Sequence, residues 1–337
     1  MFDIKALKKY DVNDMYMVYD NWPDIARKSY NEKFEQIKFK NITHIVFAGM
    51  GGSGIIGDIF YSILSKTNIH VSVVKGYHLP RTIDNNTLVV ATSITGNTAE
   101  TLSVLKSAKK AKCKIIGISG GGRLRDYCKK NNIEYRFIKI QHSPRASLTQ
   151  FLYAMLKILQ PILPIQRHDI IESIDLLNAT RNNIRSKNLT KKNIALNLAE
   201  WVDDIPIIYY PWGLKAAAIR FKNSLNENAK SHAMVEDIIE ASHNNIVAWE
   251  RISNVKPILL EGKDDDVKTK ERANILKKFF RQNNIEYKEV FSVDGSILSK
   301  LVNLIYVFDY ASIYLAVKHK IDPTPVGSID FIKRNSK

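Results

Sequence analysis

Cysteine is nearly missing from the 337 residues: Cys113 and Cys128 are the only two, 15 positions apart. They make neither a disulfide framework nor the ligand spacing of a zinc site, so no metal is expected, and a cytoplasmic, reducing compartment is. Glycine and proline, 15 and 10 residues, are too few for a collagen-like or low-complexity chain. Long apolar runs are missing as well. The longest, near Leu301 to Val317, is broken by Asn303 and Asp309, and Met1-Phe2-Asp3-Ile4-Lys5 carries no apolar signal core. The expectation is a chain that neither spans a membrane nor enters a secretory route. Acidic residues are in deficit, 34 against 50 Lys+Arg, for a net charge of +16. Residues 1–160 hold 24 Lys+Arg against 12 Asp+Glu, and the remainder holds 26 against 22. Such a field attracts nucleic acid or steers a small dianion into a cleft. With no zinc finger, arginine-rich run or RNA-binding aromatic signature beside it, nucleic acid is not the expected partner.

What is present is an ordinary globular composition, 45% hydrophobic and 25% charged, long enough for two domains. Short, almost continuously apolar runs rich in β-branched residues recur at Thr43–Ala48, His70–Val74, Thr87–Ser93, Lys114–Ser119 and Glu134–Ile140. Strands buried on both faces of a parallel sheet read this way. Helix-length segments such as Thr98–Ala111 and Arg123–Asn131 separate them. Further helical patterns cover Ser147–Gln160 and Asp169–Arg181, and Asn182–Lys192 is a polar connection. Alternation resumes with strands at Ile205–Tyr210, Pro257–Glu261 and Glu286–Val293, and helices at Leu214–Leu225, Lys268–Asn283 and Leu298–Val317. The predicted fold is α/β, two tandem doubly wound parallel sheets. The expected division is a first domain over 1–160, a helical linker over 161–192 and a second domain over 193–337.

The first strand runs into Ala48-Gly49-Met50-Gly51-Gly52-Ser53-Gly54, in which Gly49, Gly51 and Gly54 satisfy the G-x-G-x-x-G spacing. A dinucleotide fold also needs an acid closing the second strand, and here that strand ends Val73-Val74-Lys75-Gly76. A lysine suits only a 2′-phosphate, which leaves an NADP-dependent oxidoreductase as an alternative. Otherwise the loop serves tight strand-to-helix packing, or brings backbone N–H groups at Gly52 and the Ser53 hydroxyl up to a ligand.

The third strand ends Ser93-Ile94-Thr95-Gly96-Asn97-Thr98 and passes into a helix near Ala99-Glu100. Asn97 and Glu100 have the spacing of a capping box, and the hydroxyls of Ser93, Thr95 and Thr98 ring the positive end of that helix. With Ser53 they suit a phosphate. No G-x-x-x-x-G-K-[ST] is present, so the phosphate is expected on a sugar rather than on ATP.

Five motifs taken together, Gly49-Met50-Gly51-Gly52-Ser53-Gly54, Ser93-Ile94-Thr95-Gly96-Asn97-Thr98-Ala99-Glu100-Thr101, Pro144-Arg145-Ala146-Ser147, Asn226-Glu227-Asn228-Ala229-Lys230 and Ser242-His243-Asn244, resemble the bifunctional phosphoglucose/phosphomannose isomerases of archaea and bacteria over nearly the whole chain. Family members usually carry an aromatic residue at the position of Ile94 and a serine at that of Thr95. The resemblance implies two sugar-isomerase (SIS) domains, a metal-free and cofactor-free interconversion of glucose 6-phosphate, mannose 6-phosphate and fructose 6-phosphate, and a homodimer. A catalytically silent SIS module that only binds sugar phosphate is the alternative outside enzymes.

Aldose–ketose interconversion needs a base beside C1 and C2, a cation near the enediolate oxygen and a group that opens the sugar ring. Glu227 follows an amphipathic helix, flanked by Asn226 and Asn228; spacing alone makes it solvated surface, and the resemblance implies the base. His243 lies in a polar turn, and an imidazole, with an unperturbed pKa of ~6.5, is the side chain that suits proton exchange at a ring oxygen. The resemblance implies that it opens the ring in the neighbouring subunit's site. Arg145 precedes a helix N-terminus, where the dipole disfavours a cation; the implied role is stabilisation of the enediolate. Lys333 lies beyond the proline-bearing stretch Asp322-Pro323-Thr324-Pro325-Val326. Alone it reads as a tail lysine, whereas the resemblance implies that it assists ring opening, with Thr324 as a pocket neighbour.

Overall fold

In chain order the elements are α1 (Ile4–Tyr10), α2 (Met15–Asp20), α3 (Trp22–Asn31), β1 (His44–Ala48), α4 (Gly52–Leu64), β2 (His70–Val74), β3 (Thr87–Ser93), α5 (Ala99–Lys110), β4 (Lys114–Ser119), α6 (Gly122–Lys130), β5 (Glu134–Phe137), α7 (Leu148–Ile158), α8 (Arg167–Ile184), α9 (Ile194–Trp201), β6 (Ile205–Tyr210), α10 (Lys215–Ser224), β7 (Met234–Asp237), α11 (Ile238–Ala241), β8 (Val255–Glu261), α12 (Val267–Gln282), β9 (Lys288–Phe291), α13 (Ile297–Lys318) and α14 (Gly327–Asn335). The computed structural model describes residues 2–202 and 204–335. They form two compact units. The first comprises Asn21–Asp175 with Gly295–Ser299, and the second comprises the described residues of 2–20, 176–294 and 300–335.

In the first unit five strands form one sheet in the order β2-β1-β3-β4-β5, every pairing parallel. β1 and β3 are buried along their whole length, which is why they read as unbroken apolar runs. Val46, Ala48, Val89 and Ala91 point to one face and meet Leu102, Val104, Leu105 and Leu124 of α5 and α6. Phe47 stacks on Phe60 of α4, ring centroids 4.7 Å apart. The small segment Gly295–Ser299 belongs here because the Glu172 carboxylate accepts from the Ser296 N–H (3.0 Å) and the Ser299 hydroxyl (2.8 Å). Those donors, the Ser296 amide first, hold the carboxyl below the usual carboxylate range.

The second unit carries four parallel strands in the order β7-β6-β8-β9, with a core of Ile207, Tyr209, Leu259, Leu276 and Phe280. β7 is absent from the sequence-based strands. It is a short, half-exposed edge strand reading Met234-Val235-Glu236-Asp237, too polar to show a buried period. The expected strands Glu134–Ile140 and Glu286–Val293 are also edge strands, and both pair over only four residues.

Residues 2–20, which the sequence places with the first domain, join the second unit. The Tyr306 hydroxyl donates to the Tyr19 carbonyl (2.6 Å), and Asp20 accepts from the Ser186 N–H (3.1 Å) and from the Tyr310 hydroxyl. The division between units falls inside α8, within the stretch 161–192 expected as a helical linker. Helix α13 is long and apolar enough to cross a membrane by length and composition, yet its apolar window is buried in the protein.

Candidate active site

A parallel sheet ordered 2-1-3-4-5 reverses direction of winding between β1 and β3, and ligands bind outside the carboxyl ends of the strands at such a point. There the chain places its two marked loops. β1 runs into Gly49–Gly51 and α4, and β3 runs into Ile94–Thr98 and α5. The N-cap residues are Gly51, at φ 54°, and Thr98, and no side chain caps either helix. Two uncapped, dipole-positive helix ends therefore flank the switch point.

The hydroxyl loop departs from expectation in one detail. Asn97 is not the cap of a capping box. Its side chain accepts from the Arg123 N–H (3.1 Å) and donates to the Thr95 carbonyl (3.3 Å), while Thr98 takes the N-cap position. The Thr98 hydroxyl lies 2.9 Å from that of Ser93, whose oxygen also accepts the Gly96 N–H at 3.1 Å. Ser53 is buried, and its oxygen accepts the Ile94 N–H at 3.3 Å, tying the two loops together. Gly96 has to be glycine. Its φ is 72°, and a Cβ there would stand 1.8 Å from the Gly121 carbonyl oxygen.

A third loop closes on these two. A side chain at Gly52 would meet the Ile94 side chain and the Pro144 carbonyl, each at 3.7 Å, and the Cα of Arg145 at 3.9 Å. Gly52, Ser53, Ser93, Thr98 and Arg145 thus gather in one unit, with Thr95 half-buried on the same loop. Arg145 is only 5% exposed and so is not a surface arginine. The loop Gly120–Gly122 was not singled out by sequence, although three consecutive glycines after β4 were the available signal. It backs the hydroxyl loop, with the Gly120 N–H on the Ile94 carbonyl (2.9 Å) and the Leu124 N–H on the Gly96 carbonyl (2.8 Å). Lys75, the residue that kept NADP open, pairs with Asp58 of α4.

The second unit holds the acid–base candidates. Past α10 the helix widens into a π-turn over Leu225–Ala229, a local distortion often found at functional sites. Glu227 sits half-buried at its centre. Both neighbouring asparagines are fixed: Asn228 donates to the Ser312 hydroxyl (2.8 Å) and Asn226 to the Ser231 carbonyl (2.8 Å). His243 is exposed and follows β7 and α11, the helix capped by Asp237 accepting the Ile239 N–H at 2.9 Å. The turn after it is held by the Tyr209 hydroxyl, which donates to Asn245 and accepts from the Trp249 indole at 2.8 Å. Burial pushes the Tyr209 phenol up to about 12, so it stays a neutral donor. Thr324 is half-buried, its N–H on the Asp322 carboxylate (2.9 Å). Lys333, read from sequence as a tail residue, lies on the regular helix α14, none of whose residues is buried. Among the described residues no group of three or more His, Cys, Asp or Glu side chains is placed to hold a metal ion.

Residues 38–128 match the SIS domain family, and residues 190–335 match the bacterial phospho-glucose isomerase C-terminal SIS domain. With two parallel α/β sheets and a hydroxyl-lined switch point, the chain is of the SIS class of phosphosugar isomerases. Its fold is similar to that of the tagatose-6-phosphate ketose/aldose isomerase from Escherichia coli, with a TM-score of 0.64 at 14% identity over 96% of this chain and 95% of that one. It is 32% identical over 326 residues to the bifunctional phosphoglucose/phosphomannose isomerase of Caldicellulosiruptor bescii, covering 93% of this chain and 96% of that one. To the enzyme of the same name from Thermoplasma acidophilum it is 30% identical over 295 residues, 87% and 89% of the two chains. The chain belongs to the bifunctional phosphoglucose/phosphomannose isomerase family.

Proposed function

We propose that this protein interconverts glucose 6-phosphate and mannose 6-phosphate with fructose 6-phosphate, without metal or cofactor. The observation that carries the reading is the Ser93–Thr98 hydroxyl pair at the uncapped start of α5, joined through Ile94 to Ser53. Backbone N–H groups at Gly52 and the hydroxyls of Ser53, Ser93, Thr95 and Thr98 take the phosphate. Glu227 moves the proton between C1 and C2. The Arg145 guanidinium offsets the enediolate. His243 and Lys333 exchange the proton at the ring oxygen, and Thr324 lines the sugar. His243 acts from the second subunit of a homodimer. The protein works in the cytoplasm, in keeping with two free, buried cysteines, of which Cys128 has its thiol pushed up to about 12 by burial.

Coupled assay of all three hexose phosphates with a chelator present tests the reaction. Turnover of both aldoses, undiminished by the chelator, is expected. Tight binding without turnover would leave only the silent sugar-phosphate module, and loss on chelation would remove the metal-free chemistry. The subunit arrangement is tested by mixing inactive His243→Ala and Glu227→Gln proteins under conditions that exchange subunits. Partial activity is expected, and none despite demonstrated exchange would put both residues in one subunit's site.

A further inference from the structure

Lys230 closes the π-turn that carries Glu227. It adopts the left-handed conformation, φ 57° and ψ 29°, and its backbone N–H donates to the Leu225 carbonyl. The side chain folds back, so that the ammonium lies 2.5 Å from the carbonyl oxygen of Glu227. The same ammonium reaches the carbonyls of Pro323 at 3.2 Å and Pro325 at 2.8 Å. Each of these bonds to a carbonyl oxygen is charge-assisted.

The far partners explain why a cation is useful there. The stretch Asp322–Val326 forms neither helix nor strand, and its two prolines have no N–H to place in any ladder. Its carbonyls need donors from elsewhere. Thr324 lies between the two carbonyls that Lys230 binds, and α14, with Lys333, begins at Gly327, two residues after the second. One side chain therefore ties the backbone beside the proposed base to the backbone on either side of the proposed sugar-lining threonine.

We propose that Lys230 is a positioning residue, which sets the register of the Thr324 segment against the Glu227 turn. The inference rests on the roles proposed above for Glu227 and Thr324. The tie reaches three main-chain oxygens, so it acts on the placement of Thr324 and the start of α14. Lys230 is exposed, so water can reach the Glu227 and Pro325 carbonyls once the ammonium is removed.

Lys230→Met keeps the aliphatic stem and deletes the three donors, whereas Lys230→Arg keeps a cation. Two measurements are needed on each full-length variant: amide hydrogen exchange along the chain, and kcat and KM for glucose 6-phosphate. For Lys230→Met, exchange should quicken in residues 320–335 and not in the β-sheets, and kcat should fall about 10- to 100-fold with KM nearly unchanged, as for a misplaced site. Lys230→Arg should recover part of both. Wild-type exchange and kcat in Lys230→Met would overturn the inference. So would quickened exchange throughout the chain, the mark of a merely structural role, or local loosening with full kcat. If the wild-type enzyme turns over none of the three hexose phosphates, the isomerase reading fails, and exchange in residues 320–335 still decides whether the tether exists.

Discussion

Arg220 and Asp309 face each other sealed from water, their side chains 1% and 0% exposed. Nη2 lies 2.6 Å from Oδ2 and Nε 2.9 Å from Oδ1, and the Ser224 hydroxyl donates to Oδ1 at 2.5 Å. The pair fastens α10 to α13 five residues before the π-turn of Glu227 begins, and Ser224 joins it from the residue just before that turn. Burial is the strongest single influence and opposes the guanidinium's charge, but the charge and hydrogen bonds of Asp309, together with Tyr19 and Glu227, hold the pKa above its ordinary value. Asp309→Asn leaves a buried cation without its counter-charge and should cost about 3–5 kcal/mol of stability in denaturant unfolding. The double variant Arg220→Met/Asp309→Leu should recover most of that. A single variant losing under about 1 kcal/mol would contradict a sealed ion pair.

Thr98→Val tests the phosphate site. It keeps the shape and removes one hydroxyl, a contact worth about 1.5–3 kcal/mol to a charged partner. KM should rise alike for glucose, mannose and fructose 6-phosphates with little change in melting temperature, because no helix-capping bond is lost. An unaltered KM would move the phosphate away from α5.

Glu227→Gln preserves size and hydrogen-bonding shape but cannot accept a proton. One carboxylate can serve both aldoses, since rotation about C2–C3 presents either face of a planar enediol to it. Turnover of both should fall by about 10² to 10⁴ with sugar-phosphate affinity retained. Mannose 6-phosphate turnover surviving while glucose 6-phosphate turnover is lost would falsify the shared base.

His44 makes stability fall in acid. Its buried ring stands at the amino-terminal end of β1, with Nε2 2.9 Å from the Ser72 hydroxyl and the ring centroid 4.5 Å from that of His70. Burial first, then His70, lower its pKa from 6.5, while Asp84 pulls weakly the other way. The unfolded chain then binds the proton more readily than the folded one, so this contribution is complete above pH 6.5 and is lost as pH falls through the window below it. For one proton the slope is at most about 1.4 kcal/mol per pH unit. Unfolding between pH 5 and 7.5 should show a steeper acid loss for wild type than for His44→Gln. Parallel curves would mean that His44 titrates alike in both states.

Much of the sheet was legible because burial on two faces leaves a local trace. Ile45-Val46-Phe47 and Leu88-Val89-Val90-Ala91 can hardly be anything but central strands, and Gly51 and Thr98 lie where each of these strands gives way to a helix. The capping role expected of Asn97 was not realised, because Arg123, 26 residues away, claims its side-chain oxygen. β7 left no apolar period to detect, since an edge strand needs none.

The sequence by itself therefore determined the α/β character, the parallel strands and the glycine-rich and hydroxyl-rich loops, all written in short-range pattern, while the strand order that brings those loops to the β1/β3 switch is a property of the closed sheet. Only the tertiary structure decided that Arg145 is buried, that Asp309 interrupts an apolar helix to meet Arg220, and that the Lys230 ammonium binds carbonyls 93 and 95 residues away. A charged or carbonyl group takes whichever partner the closed fold brings within about 3 Å. No periodicity along the chain encodes that distance.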